Sequence, residues 1–289
     1  MNTIAIKAFV TAAEENSFSL AAEKLHLTQP GISKRIQSLE DQLRCRLFDR
    51  IGRRIYLTEA GEVFLPHAYR LLQEARSGLT AVQNLSFVVA GQLSIATTQH
   101  IGLHHLAQPI RQYIANHPQV EFALDFINSK QAYGDVLQGK LELAIITEPS
   151  NIDEKLRFIP LWPEKLKFVC SKDHLLASHK RVSLASLSHF SGVLPGKSTY
   201  TRRLIDDLFN QEEVNLIASV PTNYLEAIKM LVAAGVGWSV LPENLIDDQL
   251  CILDIADAHI ERSIGCLIHT ERTLSNAAQV FLALLKEES

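Results

Sequence analysis

Gln29, Pro30, Ser33, Lys34 and Arg35 set amide, hydroxyl and cationic groups beside a proline and Gly31, at the start of the stretch LTQPGISKRIQSLE. Ile32, Ile36, Leu39 and Leu43 recur there at spacings of 4, 3 and 4, helix period with one buried face. At about 100° per residue, Pro30, Lys34, Gln37 and Ser38 point away from that face, and Ser33 and Arg35 flank it. A helix whose first exposed turn is small, rigid and basic is suited to approach something negative closely. Between Lys24 and Arg54 eight bases stand against three acids, a local balance of +5 in a chain of net charge −4. Residues 1–90 carry +2 and the remainder −6, so the basic region is a local feature rather than a property of the whole chain.

The neighbouring segments must hold that helix. Ile6, Phe9, Val10 and Ala13 predict a first amphipathic helix, and SLAAEKL predicts a second, with Ser19 as its N-cap. Leu27 and Thr28 make a short turn, Thr28 caps the third helix, and Pro30 falls in its first turn, where a missing N–H costs nothing. Two helices, a tight turn and a third helix with a polar, basic start describe a helix-turn-helix. In the major groove of double-stranded DNA, Gln29, Ser33 and Arg35 would reach base edges, Pro30 a thymine methyl and Lys34 a phosphate. RLFDRIGRRIYLTEAG alternates from Arg54 to Thr58, contains Gly52 and predicts a small hairpin, a wing, with Arg50, Arg53 and Arg54 along the phosphates.

The run AAEKLHLTQPGISKRIQSLEDQLRCRLFDRIGRRIYLTEAG resembles the winged helix-turn-helix of LysR-type transcriptional regulators. The matching residues are Ala21, Ala22, Leu25, Thr28 to Pro30, Ile32, Ser33, Ile36, Leu39, Glu40, Leu47, Phe48, Arg50, Leu57, Thr58, Ala60 and Gly61. Arg44 departs from it, at a position where the family usually has glycine. Beyond, Phe64, Ala68, Leu71, Ala75, Gly78, Val82 and Leu85 repeat at 4 and 3, a heptad seam for a dimerising linker helix. Two-fold pairing would present two reading heads to an interrupted inverted repeat. From Gln92, strand-like segments (QLSIATT, VEFALDF, LELAIIT, VNLIASV, VGWSVLP) alternate with helical ones (101–116, 129–140, RLIDDLFNQ, LEAIKMLVAAG), which predicts an α/β domain with largely parallel sheets. It resembles the two-lobed, periplasmic-binding-protein-like effector domain of the same family, best at AAGVGWSVLP. The expected organisation is a DNA-binding domain over 1–59, a linker helix over 60–89 and an effector domain over 90–289. Lobe I takes about 90–160 and 266–289, lobe II about 161–265. The resemblance further implies a tetramer, a dimer of dimers, with RNA polymerase as a further partner.

In such a fold a small ligand binds at strand C-termini beside helix N-termini. The candidate contacts are Thr98, Gln99, His100, Ser129, Lys130, Thr147, Ser198, Thr199 and Asn223. Hydroxyls, amides, lysine and helix amides together suit a small organic or inorganic anion. Other chemistry is poorly represented. GVLPGKST has three residues between its glycines where a phosphate loop needs four, and there is no GxSxG elbow. His100, His104 and His105 place two imidazoles at i and i+4, but no acidic or cysteine partner lies near in sequence, so surface or cleft histidines rather than a metal site are expected. No enzyme activity and no cofactor is expected. Cys45, Cys170, Cys251 and Cys266 form no CxxC pair; the alternative function is a redox-sensing regulator pairing Cys170 with Cys251 or Cys266. No apolar run reaches the roughly 18 residues that span a bilayer, and Glu14 and Glu15 fall where a signal peptide would be apolar, so no membrane contact and a cytoplasmic location are expected.

Overall fold

The computed structural model describes residues 2–52, 54–86, 88–219, 222–255 and 258–288. Arg53, one of the expected phosphate contacts, lies outside the described residues. The chain divides into two compact units: Met1–Val88 with Asp135–Leu141 and Glu271–Asn276, and Val89–Gly134 with Glu142–Thr270 and Ala277–Ser289.

The first unit opens with α1 (Thr3–Glu15), α2 (Phe18–Lys24) and α3 (Gln29–Leu43), followed by the hairpin β1 (Phe48–Ile51) and β2 (Arg54–Leu57) and the 26-residue α4 (Glu59–Asn84). Side-chain caps fix where each helix begins. Thr28 Oγ1 accepts from Gly31 N at 3.2 Å, and Thr58 Oγ1 accepts from Gly61 N at 3.1 Å. The cap of α2 is Ser17, not Ser19: its extended backbone precedes Phe18, and its hydroxyl accepts from Leu20 N. Phe18 must enter the helix because its ring packs edge-on against Phe48 at 5.4 Å. Ile32, Ile36 and Leu39 of α3 are buried with Ile6 and Phe9 of α1, as the 3.6-residue spacing requires. Phe9 is the hub, tilted against both Phe48 and Phe64. Of the expected seam on α4, Phe64 and Ala68 pack into this core, whereas Leu71, Val82 and Leu85 stand exposed beside Leu79.

The second unit contains β3 (Gly91–Thr97), α5 (Gln99–His104), α6 (Ala107–Asn116), β4 (Val120–Phe126), most of α7 (Ser129–Gln138), β5 (Leu143–Thr147), β6 (Leu156–Ser171), α8 (Leu184–Leu187), α9 (Tyr200–Gln211), α10 (Leu225–Ala233), β7 (Ser239–Pro242), β8 (Leu250–Ile252), β9 (Ile260–His269) and nearly all of α11 (Asn276–Glu287). The described strands form one sheet in the order β4-β3-β5-β9-β6-β7, with β8 also on β6. Only β3 with β4 and β3 with β5 are parallel; β9 and β6 pair antiparallel with each other and with β5, β7 and β8. The expectation of largely parallel sheets therefore holds for one end of the sheet alone. Two long strands, β6 and β9, return the chain between the halves and impose antiparallel pairing there. Among its described residues, 214–219, VNLIASV forms no strand; Ala218 makes an isolated bridge to Gly192. The helix expected over 101–116 is divided, with Leu106 as the cap of α6, so that Pro109 falls in a first turn where its missing N–H is tolerated. In the second half the core is built on Trp238, fully buried, stacked on Phe209 at 5.6 Å, with its indole N–H donating to Leu187 O and Phe190 O.

Candidate nucleic-acid interface and effector site

On α3 the residues expected to read DNA form one polar face. Gln29, Pro30 and Lys34 are exposed, and Ser33 and Arg35 half-buried. Two local hydrogen bonds stiffen the face: Gln29 Nε2 donates to Ser33 Oγ at 3.0 Å, and Arg35 Nη1 to Gly31 O at 3.0 Å. Gly31 makes both the cap and the second bond fit, since a Cβ there would lie 3.1 Å from Thr28 Oγ1 and 3.2 Å from Arg35 Nη1. Arg50 and Arg54 are exposed on the hairpin, and the Arg50 guanidinium lies 5.0 Å from the centre of the Phe18 ring. Glu40 was visible only as a motif residue, yet it ties hairpin to helix: Oε1 accepts from Leu47 N at 2.7 Å and Phe48 N at 3.3 Å. Arg44, the departure from the family pattern, sits in the left-handed region at φ 54 as the C-cap of α3. A glycine fits that backbone with less steric cost.

In the second unit, the register of β4-β3-β5 carries three strand ends to one edge. Thr97 pairs with Phe126 and with Ile145, so the chain leaves the sheet there at Thr98, before Ser129 and Lys130, and at Thr147. Thr98 begins α5 without a side-chain cap hydrogen bond, unlike Thr28, Thr58 and Thr199. Across the sheet, Gly196 N donates to Asn223 Oδ1 at 3.0 Å, joining the loop of Ser198 and Thr199 to that of Asn223. Thr199 is occupied as the cap of α9, donating to Gly196 O and accepting from Arg202 N. Gln99, Lys130, Ser198 and Asn223 are exposed, Thr98, Ser129 and Thr147 half-buried, and His100 is buried.

A network that sequence reasoning missed connects the two groups. His100 Nε2 lies 2.7 Å and His105 Nε2 3.2 Å from Glu164 Oε1. Arg262 Nε donates to Glu164 Oε2 at 2.6 Å, Arg262 Nη2 lies 2.5 Å from the same oxygen, and Nη1 donates to Thr201 Oγ1 at 2.6 Å. Glu164 and Arg262 are opposite each other in the β6/β9 register, so one cross-strand pair reaches from the start of α5 to the start of α9. Burial alone would raise the Glu164 carboxyl, but the hydrogen bonds from His100 and His105 and the Arg262 charge hold it far below the ordinary carboxylate range. A signal did exist. Glu164 shares strand parity with Leu166, and Arg262 with Ile260 and Ile264, so each charge falls on a buried face. Using it required locating two strands about a hundred residues apart.

The cysteines separate by position. Cys170 is opposite Cys251 in the β6/β8 register. Cys266 is instead opposite Ile145 and Ile159 on β9. Burial pushes the Cys170 thiol up to about 12, with Cys251 contributing, and the Cys266 thiol also up to about 12. No described helix is long and apolar enough to cross a membrane.

The family model "Bacterial regulatory helix-turn-helix protein, lysR family" matches residues 4–62, and "LysR substrate binding domain" matches residues 88–289. A probable RuBisCO transcriptional regulator of Synechocystis sp. PCC 6803 is 28% identical over 280 residues, 93% of this chain and 81% of its own length. An uncharacterized HTH-type transcriptional regulator of Azotobacter vinelandii is 53% identical over 106 residues, 37% of this chain and 74% of its own. A full-length OxyR variant from Pseudomonas aeruginosa shares the fold, with TM-score 0.74 at 22% identity, covering 99% of this chain and 94% of that one.

Proposed function

The chain belongs to the LysR family of bacterial transcriptional regulators, and from that premise we propose that its second unit binds a small anionic effector that controls how its first unit reads DNA. Gln29, Pro30, Ser33 and Arg35 contact base edges in the major groove, and Lys34, Arg50, Arg53 and Arg54 contact phosphates. The exposed apolar stripe of Leu71, Leu79, Val82 and Leu85 on α4 supports pairing of two chains, and hence a site with two half-repeats. Two such dimers form the tetramer, and RNA polymerase is a further partner.

The observation that carries the effector reading is the hydrogen-bonded chain His100–Glu164–Arg262–Thr201. It brings the start of α5, with its uncapped Thr98, toward the start of α9, where Ser198 and Thr199 lie. Ser129, Lys130 and Thr147 border the first group and Asn223 the second. An anion held by hydroxyls and helix amides from both sides would bias the two lobes toward one arrangement, and through it the spacing of paired DNA heads. A thermal-shift screen of the full-length protein against small organic acids, amino acids and inorganic anions tests this. At 100-fold excess over Kd a specific ligand stabilises by about 2.7 kcal/mol, and the shift is lost in Thr98→Ala and Ser129→Ala. A stabiliser indifferent to both substitutions contradicts the placement.

The cross-strand pairing of Cys170 with Cys251 supports a second reading, in which two thiols are oxidised to a disulfide as hydrogen peroxide is reduced to two waters. The raised Cys170 thiol weighs against it, since the thiolate is the attacking species. If peroxide leaves the mass of the Cys170–Cys251 peptide pair unchanged, this reading fails; Cys266 has no comparable partner in the register.

A further inference from the structure

We propose that His100, His104 and Glu226 form a binding site for one divalent first-row cation of the borderline class, represented by Zn2+. The fold supplies the acidic partner that local sequence lacks. His100 and His104 lie one turn apart on α5, their ring centres 4.8 Å apart, and Glu226 comes from the first turn of α10. One ligand atom from each of the three lies within 4.8 Å of the other two. His104 Nε2 and Glu226 Oε1 are already 3.6 Å apart, close to the edge of about 3.3 Å in a tetrahedron with metal–ligand bonds of about 2.0–2.1 Å.

Three features suit this cluster to a cation. His100 is 4% exposed, and its Nδ1 is buried with no hydrogen-bond partner. Its other nitrogen, Nε2, is engaged by Glu164 Oε1 at 2.7 Å, and Arg262 holds the second oxygen of that carboxylate, so Nδ1 is the nitrogen left to face a cation. A carboxylate fixing the far nitrogen of a histidine is the arrangement that orients metal-bound imidazoles and raises their basicity. Glu226 adds the third feature. Its stem is about a third exposed, 35% for the side chain, yet both carboxylate oxygens are buried without a hydrogen bond. Buried carboxylate oxygens without donors are costly and call for an ion or water to satisfy them.

A second grouping, His100 with His105 and Glu164, shares His100 but is not a separate metal site. Both Glu164 oxygens are taken up by Arg262, His100 and His105, and the guanidinium repels a cation there. Two imidazoles and one carboxylate suit Zn2+, Co2+, Ni2+ or Cu2+ over Mg2+ or Ca2+, which prefer oxygen ligands. Three protein ligands also leave a fourth position for water or an exogenous anion. The site is defined by this chain's own residues and needs no organic effector to form.

Full-length protein, stripped with a chelator and held in a buffer free of organic acids, is titrated with ZnCl2 by calorimetry and followed by thermal melting. The expected result is one Zn2+ per chain and a raised melting temperature. His104→Gln and Glu226→Gln should each weaken binding by at least about tenfold, whereas His189→Gln, at an exposed position, should leave it unchanged. Without metal, Glu226→Gln should melt no lower than the wild type, because the carboxylate oxygens it replaces are buried without a hydrogen bond; in excess ZnCl2 the order should reverse. CoCl2 should give visible d–d bands that His104→Gln removes. Absence of stoichiometric binding overturns the site, and so does binding that Glu226→Gln and His104→Gln leave intact.

Discussion

On α3, Gln29, Pro30, Ser33, Lys34 and Arg35 follow one another in sequence and stand at or near the surface, held by bonds no more than four residues long. Around Glu164, the partners come from residues 100, 105, 201 and 262 and are mostly sealed from water. The first arrangement costs the fold little, because its charges remain solvated while they wait for a partner. The second makes every member depend on the others, because a charge left alone in the interior has no solvent to fall back on. An exposed polar face can thus change its residues without disturbing stability, while a buried connector cannot lose one without disturbing the unit around it.

The comparison breaks first if Arg262 can be removed cheaply. Arg262→Met leaves the Glu164 carboxylate buried beside half-satisfied histidines and should cost about 3–5 kcal/mol in urea unfolding. Adding Glu164→Gln should return part of that loss, and a single-variant cost below 1 kcal/mol contradicts the account. The pH dependence follows with a definite sign. The folded Glu164 pKa is depressed, so its stabilisation is present above the unfolded carboxylate value of about 4.3 and is lost as pH falls toward the folded value. Wild-type stability should therefore decline on the acid side more steeply than that of Glu164→Gln.

Within the first unit, the scaffold behind the polar face of α3 should be more sensitive than the face itself. Glu40→Ala removes the acceptor of two backbone amides at the entry to the hairpin and should cost about 2 kcal/mol. Arg44→Gly relieves a left-handed C-cap and should stabilise by about 1 kcal/mol, measured by the same unfolding curves. Lys34→Ala should change stability by less than about 0.5 kcal/mol.

The same contrast explains what the sequence discloses. Helix period, Thr28 and Pro30 locate α3 because everything that defines it lies within one stretch of chain. Strand segments such as VEFALDF are legible for the same reason, but pairing is not: the antiparallel β6 and β9 depend on register between segments a hundred residues apart. Local propensity also misplaced the cap of α2, because the edge-on packing of Phe18 on Phe48 decides where that helix begins. The candidate ligand residues are legible as hydroxyls and amides after strands. Glu164, Arg262, Thr201 and Glu226 are not, since each acquires its role only from a distant partner.

The most direct measurement is selection of binding sites from a random duplex DNA pool by the full-length protein, followed by salt titration of the selected site. The account predicts an interrupted inverted repeat for the wild type. Gln29→Ala should alter the recovered half-site bases, and Lys34→Ala should recover the same bases with a salt slope lowered by about 0.9 per half-site. Recovery of no symmetric site, or equal loss of affinity for selected and scrambled DNA in Gln29→Ala, would contradict the assignment of sequence reading to the exposed face of α3.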